Sequence, residues 1–401
     1  MLKCASVYTL EMDSPELALE GIKAQLKEKI TLLEHTAGIV MCHPEYVASG
    51  VLKYVCEHLP FDLAGVTTAS QAVNDGMGEL MLTIFVMTSD DVRFVTGVTE
   101  SVAEGIDGPV TSALQRAVGG AGGAAGGPAP GAKPELAIIF PPFLFGPAGD
   151  EYVDVVERNL PGAAIFGTLA TDDSATFSDC ETIYNGMNYT SSMAFMLCYG
   201  EIHPRFMIAA LPPDPAILYR GEITRASGTR IYEINHMNVY DYYNSLDFID
   251  VTQEEKSMTL FTPLMVDLKK RSDYDGVPVV RGHISFAEDG AAIYTGEVDE
   301  GSTFVFSVCN YETILSTATQ TIEGINDLEG INGVLLFPCI VRRMALFGVD
   351  PLGELQAAKD IIRPDVPYMM GYSGGEICPT SIRGGVPTNR FHNYSLVILV
   401  I

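Results

Sequence analysis

Apolar runs and helical stripes alternate along the chain in an order that occurs three times. Each copy is an apolar run, a helical stretch, a second apolar run ending in glycine, a polar loop and a third apolar run, which is the signature of an internal repeat. In the first copy Ile39–Cys42 leads to a helical stripe of Val47, Val51, Val55 and Leu59. Leu63-Ala64-Gly65, the loop at Thr67-Thr68 and a strand over Glu79–Met87 follow. In the second, Leu136–Phe140 leads to Tyr152, Val156 and Leu160, then Ile165-Phe166-Gly167, a loop with Thr168, Asp172 and Asp173, and Met193–Tyr199. In the third, Val334–Phe337 leads to a helix near Leu355 and Ala358, then Met369-Met370-Gly371, the loop from Tyr372 to Glu376, and Tyr394–Ile401. Unbroken apolar runs predict strands covered on both faces. Strand–helix–strand order predicts parallel pairing with right-handed crossovers.

Around these copies lie other elements. Asp13, Pro15 and Glu16 predict the start of a first helix, with Ile22, Leu26, Ile30 and Leu33 as its packing stripe. Residues 119–134 are rich in glycine, alanine and proline. They match G-x-G-x-x-A at Gly120, Gly122 and Ala125, but a helical pattern precedes them where a dinucleotide site needs a strand. The segment is read as a flexible linker or surface loop. From about residue 206 to 320 the runs become short and alternating. Glu288-Asp289-Gly290 predicts a hairpin between Ile284–Phe286 and Ala292–Tyr294, and Tyr240–Leu246 a short helix. A boundary falls near Tyr219–Thr224. The fold class is α+β (mixed α/β), with repeated βαβ-like units, mixed sheets and inserted antiparallel hairpins.

Composition narrows the function. The 401 residues carry 51 acids against 24 bases, a net charge of −27. That argues against nucleic acid and anionic membrane surfaces as partners. Neither a membrane-spanning run nor a signal core is seen, so a cytoplasmic setting without membrane insertion is expected. No two of the eight cysteines form a C-x-x-C pair, and the histidines lack zinc spacing, so no metal site is expected. A lone haem-ligating histidine needs no spacing. No Walker A sequence occurs.

Ligands of βαβ units bind beyond the carboxyl ends of the strands. Here those ends are Thr67-Thr68, Thr168 to Asp173, Pro338-Cys339 and Tyr372 to Glu376, with Gly65, Gly167 and Gly371 at matching places. Arginine beside a buried strand end needs an anion. Arg342 would meet either a ligand carboxylate or phosphate, or a structural acid such as Glu376 or Asp350. Cys339 would be a nucleophile only with a base in reach, and His392 is the nearest candidate by repeat logic.

Three segments then carry a resemblance. Cys339-Ile340-Val341-Arg342 follows an apolar strand; Gly371-Tyr372-Ser373-Gly374-Gly375-Glu376-Ile377-Cys378-Pro379 follows in order, and Phe391-His392-Asn393 leads into the last strand. Together they resemble the end of FIST proteins, whose C-terminal domain shows C-x-x-R, G-[YF]-x-x-G-E-I-x-P and F-H-N in that order; the second has one extra glycine here. Leu63–Ala69 and Gly167–Asp173 are more loosely similar to the loops of the N-terminal half. The resemblance implies a two-domain FIST-type architecture: a helical extension over 1–35, an N-terminal domain over 36–220 and a C-terminal domain over 221–401. It implies a sensory, signal-transducing module without catalysis. The module would bind a small polar, amino-acid-like or carboxylate ligand in a cleft between the halves. Its partner would be separate, such as a histidine kinase, a chemoreceptor or a cyclic-nucleotide enzyme. The expected ligand residues are Thr67, Thr68, Thr168, Asp172, Cys339, Arg342, Tyr372, Ser373 and Glu376. No cofactor is required. A haem-linked gas sensor and a cysteine-dependent enzyme are the alternatives.

Overall fold

The computed structural model describes residues 2–121, 132–144, 148–174, 176–217, 219–246, 261–269, 271 and 273–401. The three copies read from the sequence are three units of one plan: strand, helix, strand, helix, parallel strand, hairpin, strand. Unit 1 runs from strand Lys3–Thr9 to strand Leu82–Ser89, unit 2 from Arg93–Val98 to Ala194–Tyr199, and unit 3 from Arg205–Ala209 to Leu396–Val400. In each, two parallel strands form the centre. They are His35–Cys42 with Asp62–Thr67, Leu136–Phe140 with Ala164–Thr168, and Val334–Pro338 with Tyr368–Gly371. The unit's last strand lies antiparallel to the first of these.

The hairpins are exchanged around a ring. Gln71–Gly78 of unit 1 joins the sheet of unit 3, Thr182–Tyr189 of unit 2 joins that of unit 1, and Glu376–His392 of unit 3 joins that of unit 2. Each sheet therefore has six strands, one third of them borrowed. The inner faces of the three sheets share one core, in which Ile39 and Val66, Ile138 and Phe166, and Leu335 and Phe337 meet. Phe166 stacks on Phe337 at 5.0 Å. Helices cover the outer faces, each set with its own apolar cluster. This double cover is why the strands read as unbroken apolar runs.

Local choices follow from side-chain chemistry. The first helix is Pro15–Lys29, and Ser14, not Asp13, caps it by accepting from the Leu17 amide. Ile22 and Leu26 are buried as the stripe requires. Residues 1–35 supply more than the expected helix, because Lys3–Thr9 pairs with Leu82–Ser89 as an integral strand. The glycine-rich stretch begins inside helix Asp107–Ala121, and the linker expected over its remainder falls mostly outside the described residues. Gly65 and Gly167 sit where a Cβ would collide with the carbonyl oxygens of Val40 and Ile139 on the neighbouring parallel strands. Their role is strand-to-strand approach.

Unit 3 carries an insertion between its first strand and helix Tyr311–Glu323. Strands Arg220–Ser227, Arg230–Ile234, Leu264–Asp267, Ala292–Tyr294 and Thr303–Phe306 form an antiparallel sheet. Val279–Arg281 pairs at one end of it and His283–Phe286 at the other. These two segments are one strand bent at Gly282, so the sheet closes into a small barrel with its own core. The hairpin expected at 284–294 and the short helix, Val239–Asn244, both belong to it.

Candidate functional site

The parallel strands of all three units end at the same end of the ring, and the loops beyond them hydrogen-bond to one another. The Thr171 amide donates to Thr67 O (3.1 Å) and the Tyr372 amide to Ser70 O (3.3 Å). The Gly374 amide donates to Leu169 O (3.1 Å), and the Leu169 amide to Gly375 O (2.9 Å). The three loops thereby close this end. Every sequence-predicted ligand residue lies here, and every one is buried.

Three threonines and Asp172 are spent on loop structure. Thr67 Oγ1 accepts from the Glu181 amide at 2.8 Å, Thr68 Oγ1 donates to Tyr372 O at 2.8 Å, and Thr168 Oγ1 donates to Leu169 O at 3.0 Å. Asp172 Oδ1 accepts from the Ser174 amide and hydroxyl, and its Oδ2 from the Asp179 amide. Beside this loop His43, at the end of the first parallel strand, faces Asp173 at 3.3 Å.

Arg342 sits in the first turn of helix Ile340–Leu346 and is fully buried. Its Nε and Nη2 reach Glu354 Oε1 at 2.9 and 2.8 Å, Nη1 donates to Tyr394 O and Nη2 to Ile314 O. Tyr372 Oη donates to the other oxygen of Glu354. The guanidinium charge expected to face a ligand, or else Glu376 or Asp350, is balanced by Glu354. Neighbouring Arg343 is likewise paired, with Glu79 at 2.6 Å. Burial pushes Glu354 upward, and the Arg342 charge opposes that rise. Sequence reasoning passed over Glu354. Its signal was a carboxylate four residues before Ala358, on the same buried stripe of helix Gly353–Ile361.

Glu376 is different. It opens the exchanged hairpin, is fully buried, and lies against Cys339, Ser373 and Ser395. Its Oε2 accepts from the Ser395 hydroxyl at 2.8 Å and the Ser395 amide at 3.2 Å. Its Oε1 has no partner in hydrogen-bond geometry among the described residues. Burial pushes its pKa up to about 8, against the smaller downward pull of Ser395, Cys339 and Ser373. Burial therefore favours the neutral carboxyl at pH 7, with Oε1 outside hydrogen-bond geometry beside the Cys339 thiol and the Ser373 hydroxyl. Ser395, the second missed residue, lies in the segment that continues Phe391-His392-Asn393, but only the closing of the hairpin brings it to Glu376.

The thiol of Cys339 is pushed well up, first by burial and then by the charge of Glu376. His392 does not reach it as a base: its Nε2 lies 3.0 Å from Cys378 O, and burial lowers its pKa to about 4. Among the described residues no group of three or more His, Cys, Asp or Glu side chains is placed to hold a metal ion. None of their helices is long and apolar enough to cross a membrane. Open grooves lie elsewhere. One of about 440 Å³ runs over the barrel at Arg220, Glu222, Asp267 and Lys269, and one of about 510 Å³ lies between Asp107 and Asp154.

Comparison with known proteins agrees with the motifs at this end of the ring. Residues 36–237 match the FIST N domain and residues 237–379 the FIST C domain. No curated protein matches the chain. FIST domains are sensory domains of signal transduction, and the α+β architecture with its repeated units is that of the two FIST domains together. The chain belongs to the FIST family.

Proposed function

We propose that the protein is a sensory module whose small ligand carries an amine, and that Glu376 receives it where the three loops meet. The observation that carries this reading is the free Oε1 of Glu376. A buried polar atom without a partner is costly and calls for an explanation, and a ligand donor supplies one. The amine follows from charge. Arg342 and Arg343 are both paired within the protein, so neither is left to meet a bare carboxylate among the described residues of this end. An ammonium group beside Glu376 would instead favour the ionised carboxylate and offset its burial. Ser373, whose Oγ accepts from the Gly375 amide at 3.0 Å, lies on the same loop and keeps a hydroxyl proton to donate. The loops must part for entry, and Gly374-Gly375 give the third loop its freedom; Gly375 holds a φ of 152°. A thiol held protonated at Cys339 accords with binding rather than catalysis.

This reading places the chain beside a separate signalling partner in the cytoplasm, of the kind bacterial FIST proteins accompany: a histidine kinase, a chemoreceptor or a cyclic-nucleotide enzyme. Ligand binding would shift the population of ring conformations that such a partner meets. The test is thermal stability of the purified protein with glycine against acetate and alanine against propionate, then through the other amino acids. Binding to the folded state raises Tm. The amine-bearing member of a pair should raise it and the matching carboxylate should not, and Glu376→Gln should abolish the difference. Equal shifts from amine and carboxylate, or full binding by a folded Glu376→Gln variant, would overturn the reading.

A further inference from the structure

We infer that the barrel of residues 220–306 is the responding part of this sensor, coupled to Glu376 through the hairpin Glu376–His392. The inference rests on Glu376 being the ligand's partner. One carboxyl closes the base of that hairpin: Glu376 is its first residue, and Ser395, which it holds at 2.8 Å, lies just past its last. The rest of the hairpin is the barrel's seat. Thr380 and Ser381 donate to the carboxylate of Asp275, and Arg383 donates to Asp275 O. Arg390 holds the carboxylate of Asp273 at 2.6 Å and its carbonyl at 3.1 Å. From the barrel side, Arg281 donates to Phe391 O at 3.1 Å, and Thr295 donates to Asn393 Oδ1 at 2.9 Å. A second anchor is Asp150 of unit 2, which receives Arg281 at 2.8 Å and the Glu297 amide at 2.9 Å.

This seat is built mainly of polar contacts, while the barrel keeps an apolar core of its own. One small apolar cluster, with Val280 on the barrel side and Tyr394 on the ring side, joins the two. A body with its own core and a polar seat can reseat without unfolding. An amine that pairs with Oε1 ionises the carboxyl, which tightens its hold on the Ser395 hydroxyl and amide and so resets the base of the hairpin. The strands that hold Asp273 and Asp275 then move, and the barrel moves with them.

Amide hydrogen exchange tests the coupling without any ligand. Ser395→Ala removes the hydroxyl half of the clasp. Exchange over residues 273–281 should quicken at least about threefold, while strand Leu82–Ser89 of unit 1 stays unchanged. An unchanged rate over 273–281 in folded Ser395→Ala protein would overturn the inference. If that variant does not fold, Ser395→Cys keeps the volume with a weaker donor, and the same two outcomes decide. Because no ligand enters the experiment, its failure leaves amine binding standing, and failure of amine binding leaves the exchange result intact.

Discussion

Units 1 and 3 of the ring solve the same local problem with different residues. In both, the first residue of the exchanged hairpin turns a planar side chain toward a hydroxyl at the start of the unit's last strand. In unit 1 the Thr83 hydroxyl donates to Gln71 Oε1 at 2.6 Å, and Gln71 Nε2 donates to Met81 O at 2.8 Å. In unit 3 the Ser395 hydroxyl donates to Glu376 Oε2 at 2.8 Å, and Oε1 is left over. An amide has a donor and an acceptor and satisfies both; a carboxyl in the same place leaves one atom open. Unit 2 departs again: its hairpin opens with the buried Thr182, whose hydroxyl donates to Phe140 O at 3.4 Å. Three-fold repetition thus supplies the frame, and one departure from it supplies the chemistry.

The harshest way to break the unit 3 end is to strand its buried cation. Glu354→Ala leaves Arg342 charged and unpaired, so stability should fall by about 3–5 kcal/mol in denaturant titration. A loss under about 1 kcal/mol would mean that the pair is not closed to water. Making unit 1 resemble unit 3 is the next test. Gln71→Glu removes the donor to Met81 O and buries an acid, which should cost about 1–3 kcal/mol by the same measurement. A neutral effect would show that unit 1 also tolerates an open valence.

Titration sharpens the contrast with smaller effects. Folded Glu376 keeps its proton to about pH 8, whereas the unfolded chain releases it near 4.5. Its contribution is therefore full at low pH and is lost as pH rises to about 8. His392 has the opposite sign: its pKa of about 4 lies below the ordinary 6.5, so stability drops as pH falls through that window. Between about 4.5 and 6.5 the two oppose each other. Above 6.5 His392 no longer contributes, and Glu376 should lower stability by up to about 1.4 kcal/mol per pH unit until about pH 8, with Glu297, raised to about 7, adding to the fall only in the lower part of that range. Glu376→Gln should flatten that upper limb and leave the His392 limb below it. Identical pH curves for the two proteins would place the Glu376 carboxyl in water.

Much of the ring was legible in the sequence. The nine strands and glycine-ended runs of the three copies stand out because both faces of each sheet are covered, so nearly every position is apolar. The hairpin exchange was not legible. Gln71–Val73 and Gly76–Gly78 are three-residue strands without alternation, and their partner strand lies about 300 residues away, beyond any local pattern. The start of the first helix was found but its cap missed by one residue, because Asp13 and Ser14 are both capping types and only backbone geometry chooses between them; its stripe overran the end, since Ile30 is the C-cap and Leu33 lies beyond the helix. The loops that gather at the closed end were found from the strand ends. Their partners Glu354 and Ser395 were not, since a single polar residue on a buried stripe or beside a strand start carries no spacing signal.

The central claim is that the free oxygen of Glu376 takes a ligand amine. Calorimetric titration of the amino acid that gives the largest thermal shift, run at pH 7 in two buffers of different ionisation enthalpy, tests it most directly. The neutral carboxyl must ionise to pair with an ammonium group. The account predicts release of close to one proton on binding to the wild-type protein, and no measurable binding to Glu376→Gln. Binding without proton release, equally tight in the variant, would contradict it.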